Sequence, residues 1–291
     1  MNPVPARTQI LGGVTHYWTY PATGPATVSG GDPPPIVMVH GFRGDHHGLD
    51  LIARRFPGRR VIVPDLPGFG RSSVLDRPHT IEAFADWLTA FLADVSPERR
   101  TTVLGHSFGT IVVAAAAART VIAERLVLIN PIAESALAGP RAIGTGLARF
   151  YYWLGRTVPG PAGDGILKNR VIVRGMSIAM AKTREPHLRR WIHDQHDRYF
   201  SAFADRESLL QAFDASVTHN VGEYAAKIGV PVLLVAAQKD DITTVAAQRR
   251  LQSKFPDASL VVLEGTGHLV HYEAPDRAAA AATVFLAAAA G

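Results

Sequence analysis

The chain has 291 residues, of which 47% are hydrophobic, 19% are charged and none is cysteine, and its formal net charge is +5. That is enough apolar material for one large core or a core with an insert, and it excludes a disordered chain, a disulfide scaffold and thiolate chemistry. The excess charge is local: Ser135 to Asn220 holds 12 Lys+Arg against 7 Asp+Glu, whereas the remainder carries 18 of each. No basic run interleaved with aromatics accompanies it, which argues against a nucleic-acid partner.

The first ten residues, MNPVPARTQI, carry two prolines and no long apolar run, unlike a signal peptide. The longest apolar stretches, Ile111–Ala118 and Ala278–Ala290, are shorter than the roughly 20 residues of a membrane span. The expectation is a soluble, cytoplasmic protein. Thr8–Leu11 and Val14–Tyr20 flank Gly12-Gly13 and predict a hairpin. Asp32-Pro33-Pro34-Pro35 breaks the chain before Ile36–Val39, a buried-strand candidate, and Val61–Val63 is another. Over Thr80–Val95 the apolar residues Phe84, Trp87, Leu88, Phe91, Leu92 and Val95 recur at helical spacing. Val103–Leu104 and Leu126–Ile129 predict strands around an alanine-rich helix.

Between Glu134 and Asn220 the alternation stops. Leu147, Phe150, Tyr151 and Leu154 form one helical stripe, Leu188, Trp191, Ile192, Tyr199, Phe200 and Phe203 a second, and Leu209, Leu210 and Phe213 a third. The pattern then resumes with strands Pro231–Ala236 and Leu260–Leu263 and helices Val245–Phe255 and Ala274–Ala289. Strands apolar on both faces, alternating with helices, predict an α/β fold, a mostly parallel sheet with helices on both faces. The predicted organisation is a core over 1–133, a helical cap over 134–220 and the rest of the core over 221–291.

Gly105-His106-Ser107-Phe108-Gly109 lies between a strand and a helix, the context of a nucleophile elbow. There Ser107 is held in a strained conformation, and the two glycines let the turn close. A serine hydroxyl needs a base. His268, on the glycine loop Gly265-Thr266-Gly267 after the last strand, is the candidate, with His271 the nearest rival. The base needs a carboxylate, and Asp240 and Asp241 follow the strand Pro231–Ala236, with Glu134 an outside candidate. The order Ser, Asp, His suits an α/β sheet enzyme. Two backbone N–H groups would hold the oxyanion, one from Phe108 and one from Phe42 in the loop His40-Gly41-Phe42-Arg43-Gly44.

Together, Val39-His40-Gly41-Phe42, Asp65-Leu66-Pro67-Gly68-Phe69-Gly70-Arg71-Ser72, Gly105–Gly109, Lys239-Asp240-Asp241 and Gly265-Thr266-Gly267-His268 resemble the α/β-hydrolase superfamily, in its serine esterase, lipase and C–C hydrolase branch with a helical cap. The resemblance selects Asp240 over Asp241, with Ala237 standing where similar proteins have glycine. It implies catalysis without cofactor or metal on a small-molecule ester, apolar and possibly lipid-like, with a C–C bond hydrolase of dienoic ketones as the alternative. Ser107 argues against the aspartate-nucleophile dehalogenases and epoxide hydrolases, and His106 looks more like an ester hydrolase. A ligand receptor or scaffold retaining the fold is the non-enzymatic alternative. The basic cap raises contact with an anionic membrane surface, and the sequence leaves the oligomeric state open.

Three other features are expected to be structural. Gly68-Phe69-Gly70 lacks the third glycine of a dinucleotide fingerprint. His40, His46 and His47 read as surface and turn histidines rather than metal ligands, and His193 and His196 read as a solvated helix face.

Overall fold

The computed structural model describes residues 2–23, 33–98, 100–135 and 142–288. Asp32, Ala289, Ala290 and the side chain of Leu147 lie outside the described residues. Among the described residues eight strands form one sheet: β1 (Val4–Ile10), β2 (Gly13–Tyr20), β3 (Ile36–Val39), β4 (Val61–Pro64), β5 (Thr102–His106), β6 (Arg125–Ile129), β7 (Val232–Ala237) and β8 (Ala258–Leu263). Their order is β1-β2-β4-β3-β5-β6-β7-β8. The β1–β2 and β2–β4 pairs are antiparallel and the others parallel.

The central strands are apolar on both faces because helices cover both. Val37, Val39 and Val103 point into one core, while Ile36, Met38 and Leu104 point into the other. The covering helices are α1 (Asp50–Ala53), α2 (Ile81–Val95), α3 (Phe108–Ala117), α9 (Val245–Gln252), α10 (Val270–Glu273) and α11 (Pro275–Ala287). The stripe predicted for α2 is its buried face except for Val95, which is half-buried at the end, and Thr80 caps the helix by accepting from Ala83 N–H at 3.3 Å. Between β6 and β7 lie α4 (Ala142–Thr157), α5 (Gly160–Leu167), α6 (Arg170–Met180), α7 (Pro186–Tyr199) and α8 (Arg206–Thr218). Among the described residues no helix is long and apolar enough to cross a membrane.

The hairpin turn falls one residue earlier than expected. Ile10 pairs with Gly13, so Leu11 and Gly12 make the turn with φ of +48° and +79°. Positive φ at both central positions suits the right-handed twist of the flanking strands. Gly13 instead lies against the chain, where a Cβ would stand 2.8 Å from Val74 O.

The insert joins the core through the loop after β4. Phe69 bridges to Phe203, Gly70 N–H donates to Ala202 O at 2.8 Å, and Ala204 N–H donates to Gly68 O at 2.9 Å. Asp65 shapes that loop from beneath. Fully buried, it accepts from His46 N–H and Arg71 N–H at 2.8 Å and contacts His46 Nδ1 at 2.9 Å.

Candidate active site

Ser107 sits between the end of β5 and the start of α3 with φ +52° and ψ −119°. A non-glycine residue in that region is strained by about 1–3 kcal/mol. Close packing forces the turn. A Cβ on Gly105 would stand 2.8 Å from Gly109 O, and one on Gly109 would stand 2.3 Å from Val39 O. The helix therefore starts against the ends of β3 and β5, and Ser107 is pushed outward, partly open where its neighbours are buried.

His268 and Asp240 meet Ser107 from two other loops. His268 Nε2 is 2.8 Å from Ser107 Oγ, and His268 Nδ1 is 2.9 Å from Asp240 Oδ2. A carboxylate can only accept, so Nδ1 carries the proton and Nε2 faces the serine hydroxyl as acceptor. Burial opposes the charge of Asp240. His268, Ile242 N–H and the Asn130 amide outweigh it and hold the carboxyl below its usual range. Both Asp240 and His268 are buried.

The rival positions are engaged elsewhere. Asp241 pairs with Lys182, and Glu134 lies 2.7 Å from Arg250. His271 Nδ1 is 3.0 Å from His106 Nε2. The loop after β3 lies against the serine: a Cβ on Gly41 would be 3.2 Å from both Ser107 Cβ and His106 Nδ1. His40 pins this loop, accepting from Leu66 N–H through Nε2 at 2.9 Å and facing Gly41 O through Nδ1 at 2.8 Å. Phe108 opens α3, where N–H groups have no partner within the helix. The Phe42 ring packs on Phe69, Phe108, Tyr152 and Phe213, so the floor beside Ser107 is aromatic.

Strand order, elbow and loop sequence agree with one family. Residues 36–282 match the family described as Alpha/beta hydrolase family. The chain belongs to it. Lipase 1 of Psychrobacter immobilis is 26% identical over 255 residues, 84% of this chain and 74% of that protein. The pimeloyl-[acyl-carrier protein] methyl ester esterase of Aeromonas hydrophila is 26% identical over 249 residues, 82% and 89% of the two chains. Among solved structures, an esterase from Exiguobacterium antarcticum superposes with a TM-score of 0.77 at 15% identity, covering 98% of this chain and 100% of that one. That likeness is one of fold.

In this alpha/beta hydrolase three positioning groups escape sequence reasoning. Asn130, at the end of β6 with φ +48°, donates through Nδ2 to Asp240 Oδ2 at 2.9 Å. Its one sequence signal is an amide wedged between an apolar strand and Pro131. Glu273 accepts from Gly267 N–H at 2.9 Å and from Lys182 and Thr183 N–H at 2.5 and 2.8 Å, so it ties the His268 loop to the insert. Arg43, φ +61° and buried, follows Phe42 directly. Its Nε donates to Phe200 O at 2.9 Å, Nη2 to Leu167 O at 2.7 Å and Nη1 to Tyr152 OH at 3.2 Å. No carboxylate pairs with it among the described residues.

Two expectations about histidines are corrected. His40 and His46 are buried, the latter stacked on Trp18 with ring centroids 3.2 Å apart. The ligating atoms of Asp45, His46 and His47 lie within 4.8 Å of one another. The Nδ1 atoms of the two histidines already face Asp65 and Asp45. His193 and His196 are not a solvated face. Both are buried, with Nδ1 atoms 2.6 and 2.7 Å from the buried Ser177 hydroxyl on α6. Their burial follows from that partner, which supplies the hydrogen bonds water would otherwise make.

Proposed function

We propose that the protein is a serine hydrolase of carboxylic esters with an apolar acyl group. One observation carries this reading: a strained Ser107 whose hydroxyl lies 2.8 Å from His268 Nε2, with His268 Nδ1 held by Asp240. Ser107 Oγ attacks the ester carbonyl carbon while His268 takes its proton. The carbonyl oxygen becomes an oxyanion facing the Phe42 and Phe108 N–H groups. Collapse expels the alcohol, which leaves with the proton from His268. Water, deprotonated by His268, then attacks the acyl-enzyme carbonyl; the acyl–Oγ bond breaks, His268 returns the proton to Ser107 Oγ, and the acid leaves. Asp240 keeps its charge throughout and stabilises the imidazolium.

The insert acts as a cap in this reading, and the aromatic floor of Phe42, Phe108, Tyr152 and Phe213 favours an apolar acyl chain. Supporting it, the similar proteins from Psychrobacter immobilis and Aeromonas hydrophila carry the names of ester hydrolases. The test is turnover of p-nitrophenyl esters of graded chain length, with a fluorophosphonate probe to find the nucleophile. Ser107→Ala should lower kcat by about 10⁴-fold or more with the fold intact, and labelling should map to Ser107. Wild-type-like turnover by Ser107→Ala overturns the proposal. Turnover of a dienoic ketone with no ester cleavage would move the same triad to C–C bond hydrolysis.

A further inference from the structure

Helix α6 is built inside out. Its sequence, Arg-Val-Ile-Val-Arg-Gly-Met-Ser-Ile-Ala-Met, turns Ser177 and Val173 inward and leaves Val171, Ile172, Gly175, Ile178 and Ala179 exposed. Val171 is 80% exposed and Ile178 58%. A surface helix ordinarily buries that stripe. The orientation of α6 is fixed from within, because Ser177 holds His193 and His196, and Arg174 pairs with Asp197 on α7. Rolling the helix to bury Val171 and Ile178 would break all three interactions. Of nine exposed large apolar residues among the described residues, five belong to the insert: Phe150, Trp153, Val171, Ile172 and Ile178. The exposure is therefore concentrated on the insert rather than scattered as on an ordinary surface.

The charge around this stripe selects its partner. From residue 168 to 190 there are seven Lys/Arg and a single acidic residue, Glu185. Lys168, Arg170, Arg184, Arg189 and Arg190 are exposed. An exposed apolar helix face in a segment this rich in exposed cations matches a bilayer surface with anionic headgroups, where the side chains enter the acyl boundary and the cations meet phosphate. Two copies meeting through this face would oppose the same cations.

We propose that the outward face of α6 docks the protein on an anionic lipid bilayer. The surface is independent of the triad, so docking does not require the proposed ester chemistry.

The experiment is sedimentation of the full chain with vesicles of phosphatidylcholine alone or mixed with phosphatidylglycerol. Expected is binding to the anionic vesicles that weakens as salt rises, with little binding to the neutral ones. Each charge near such a surface is worth roughly fivefold in partitioning, so Val171→Glu with Ile178→Glu should reduce binding by about 25-fold or more. Circular dichroism and turnover of a short soluble ester should stay unchanged. Should that variant misfold, Arg170→Glu with Arg184→Glu tests the same segment through its cations. Ser107→Ala should bind vesicles like the wild type, which separates this proposal from the catalytic one. Absence of binding to anionic vesicles, or equal binding by the variants, overturns it. So does a wild-type dimer that ignores vesicles and dissociates on Val171→Glu with Ile178→Glu, which would assign the face to a second copy.

Discussion

Acid should unfold this protein well before its carboxylates are protonated. His106, His196 and His271 are buried at the junction of core and insert, and burial first of all pushes each below the ordinary histidine range. His106 is lowered to about 3, His196 to about 4, and His271 far down, with repulsion from neighbouring histidines adding to the effect. His106 and His271 face each other at 3.0 Å, where only one of the two nitrogens can carry a hydrogen. In the unfolded chain all three titrate near 6.5. Above that pH they are neutral in both states and cost nothing. Below it the unfolded chain takes up protons that the folded chain refuses, so stability falls with pH until the folded values are reached. Each group costs about 1.4 kcal/mol per pH unit, so the three together cost about 4 kcal/mol per unit. Between pH 6.5 and 5 that comes to about 6 kcal/mol, comparable to the whole stability of a typical domain. The depressed carboxyls Asp45 and Asp240 act in a different window, losing their contribution only as pH falls below the ordinary carboxylate value. Urea unfolding followed by tryptophan fluorescence at pH 8, 7, 6 and 5 measures the slope. His196→Asn should reduce it by one proton. A stability that changes by less than about 1.5 kcal/mol between pH 7 and 5 would refute the reasoning.

Gly109→Ala places a Cβ 2.3 Å from Val39 O and 2.6 Å from His40 O; it should cost about 3 kcal/mol or more in denaturant unfolding, and a loss under 1 kcal/mol would mean the elbow is looser than its packing. Asn130→Gly keeps the positive φ but removes the amide from Asp240. A lost hydrogen bond to a charged group is worth about 1.5–3 kcal/mol, so kcat for ester turnover should fall roughly 10- to 100-fold with KM little changed. Arg43→Met strips the donors from Phe200 O and Leu167 O. With two buried carbonyls left without donors at about 1–3 kcal/mol each, it should destabilise by about 2–6 kcal/mol and weaken a trifluoromethyl ketone, which needs the proposed oxyanion site, more than it raises KM for the substrate.

The parts of the site that sequence exposes are those that repeat a local pattern. Val103–Leu104, the elbow and the helix behind it are contiguous, and so are the strand and loop around Asp240 and the glycine loop of His268. Each is legible because strand, turn and ligand lie within a few residues. What sequence hides is set by partners far along the chain. His193 and His196 read as surface because their partner, Ser177, lies on another helix, and nothing in the spelling of α7 shows it. Arg43 reads as one more loop cation, yet its acceptors come from residues 152, 167 and 200. The hairpin register differs by one from the expected pairing because Gly12-Gly13 offers two glycines, and the close packing of Gly13 on Val74 and Ser73 is a contact distant in sequence.

These hidden partners share one arrangement. The insert is bonded to the loops that carry Phe42 and His268 and to the loop after β4. Arg43 ties it to the residue after Phe42. Glu273 ties Lys182 and Thr183 to the residue before His268, and a Cβ on Gly267 would meet Lys182 at 2.4 Å. The Gly68 and Gly70 loop holds residues 202 and 204. Ser107 itself is held by the sheet and α3: its N–H donates to Ile129 O of β6 at 3.1 Å, and Gly105 and Gly109 pack its turn against β3 and β5. A shift of the insert would therefore move the proposed oxyanion donor Phe42 and the proposed base His268 more than the proposed nucleophile Ser107. The rigid element is Ser107, and the proposed donor and base that must converge on it lie on loops fastened to the insert.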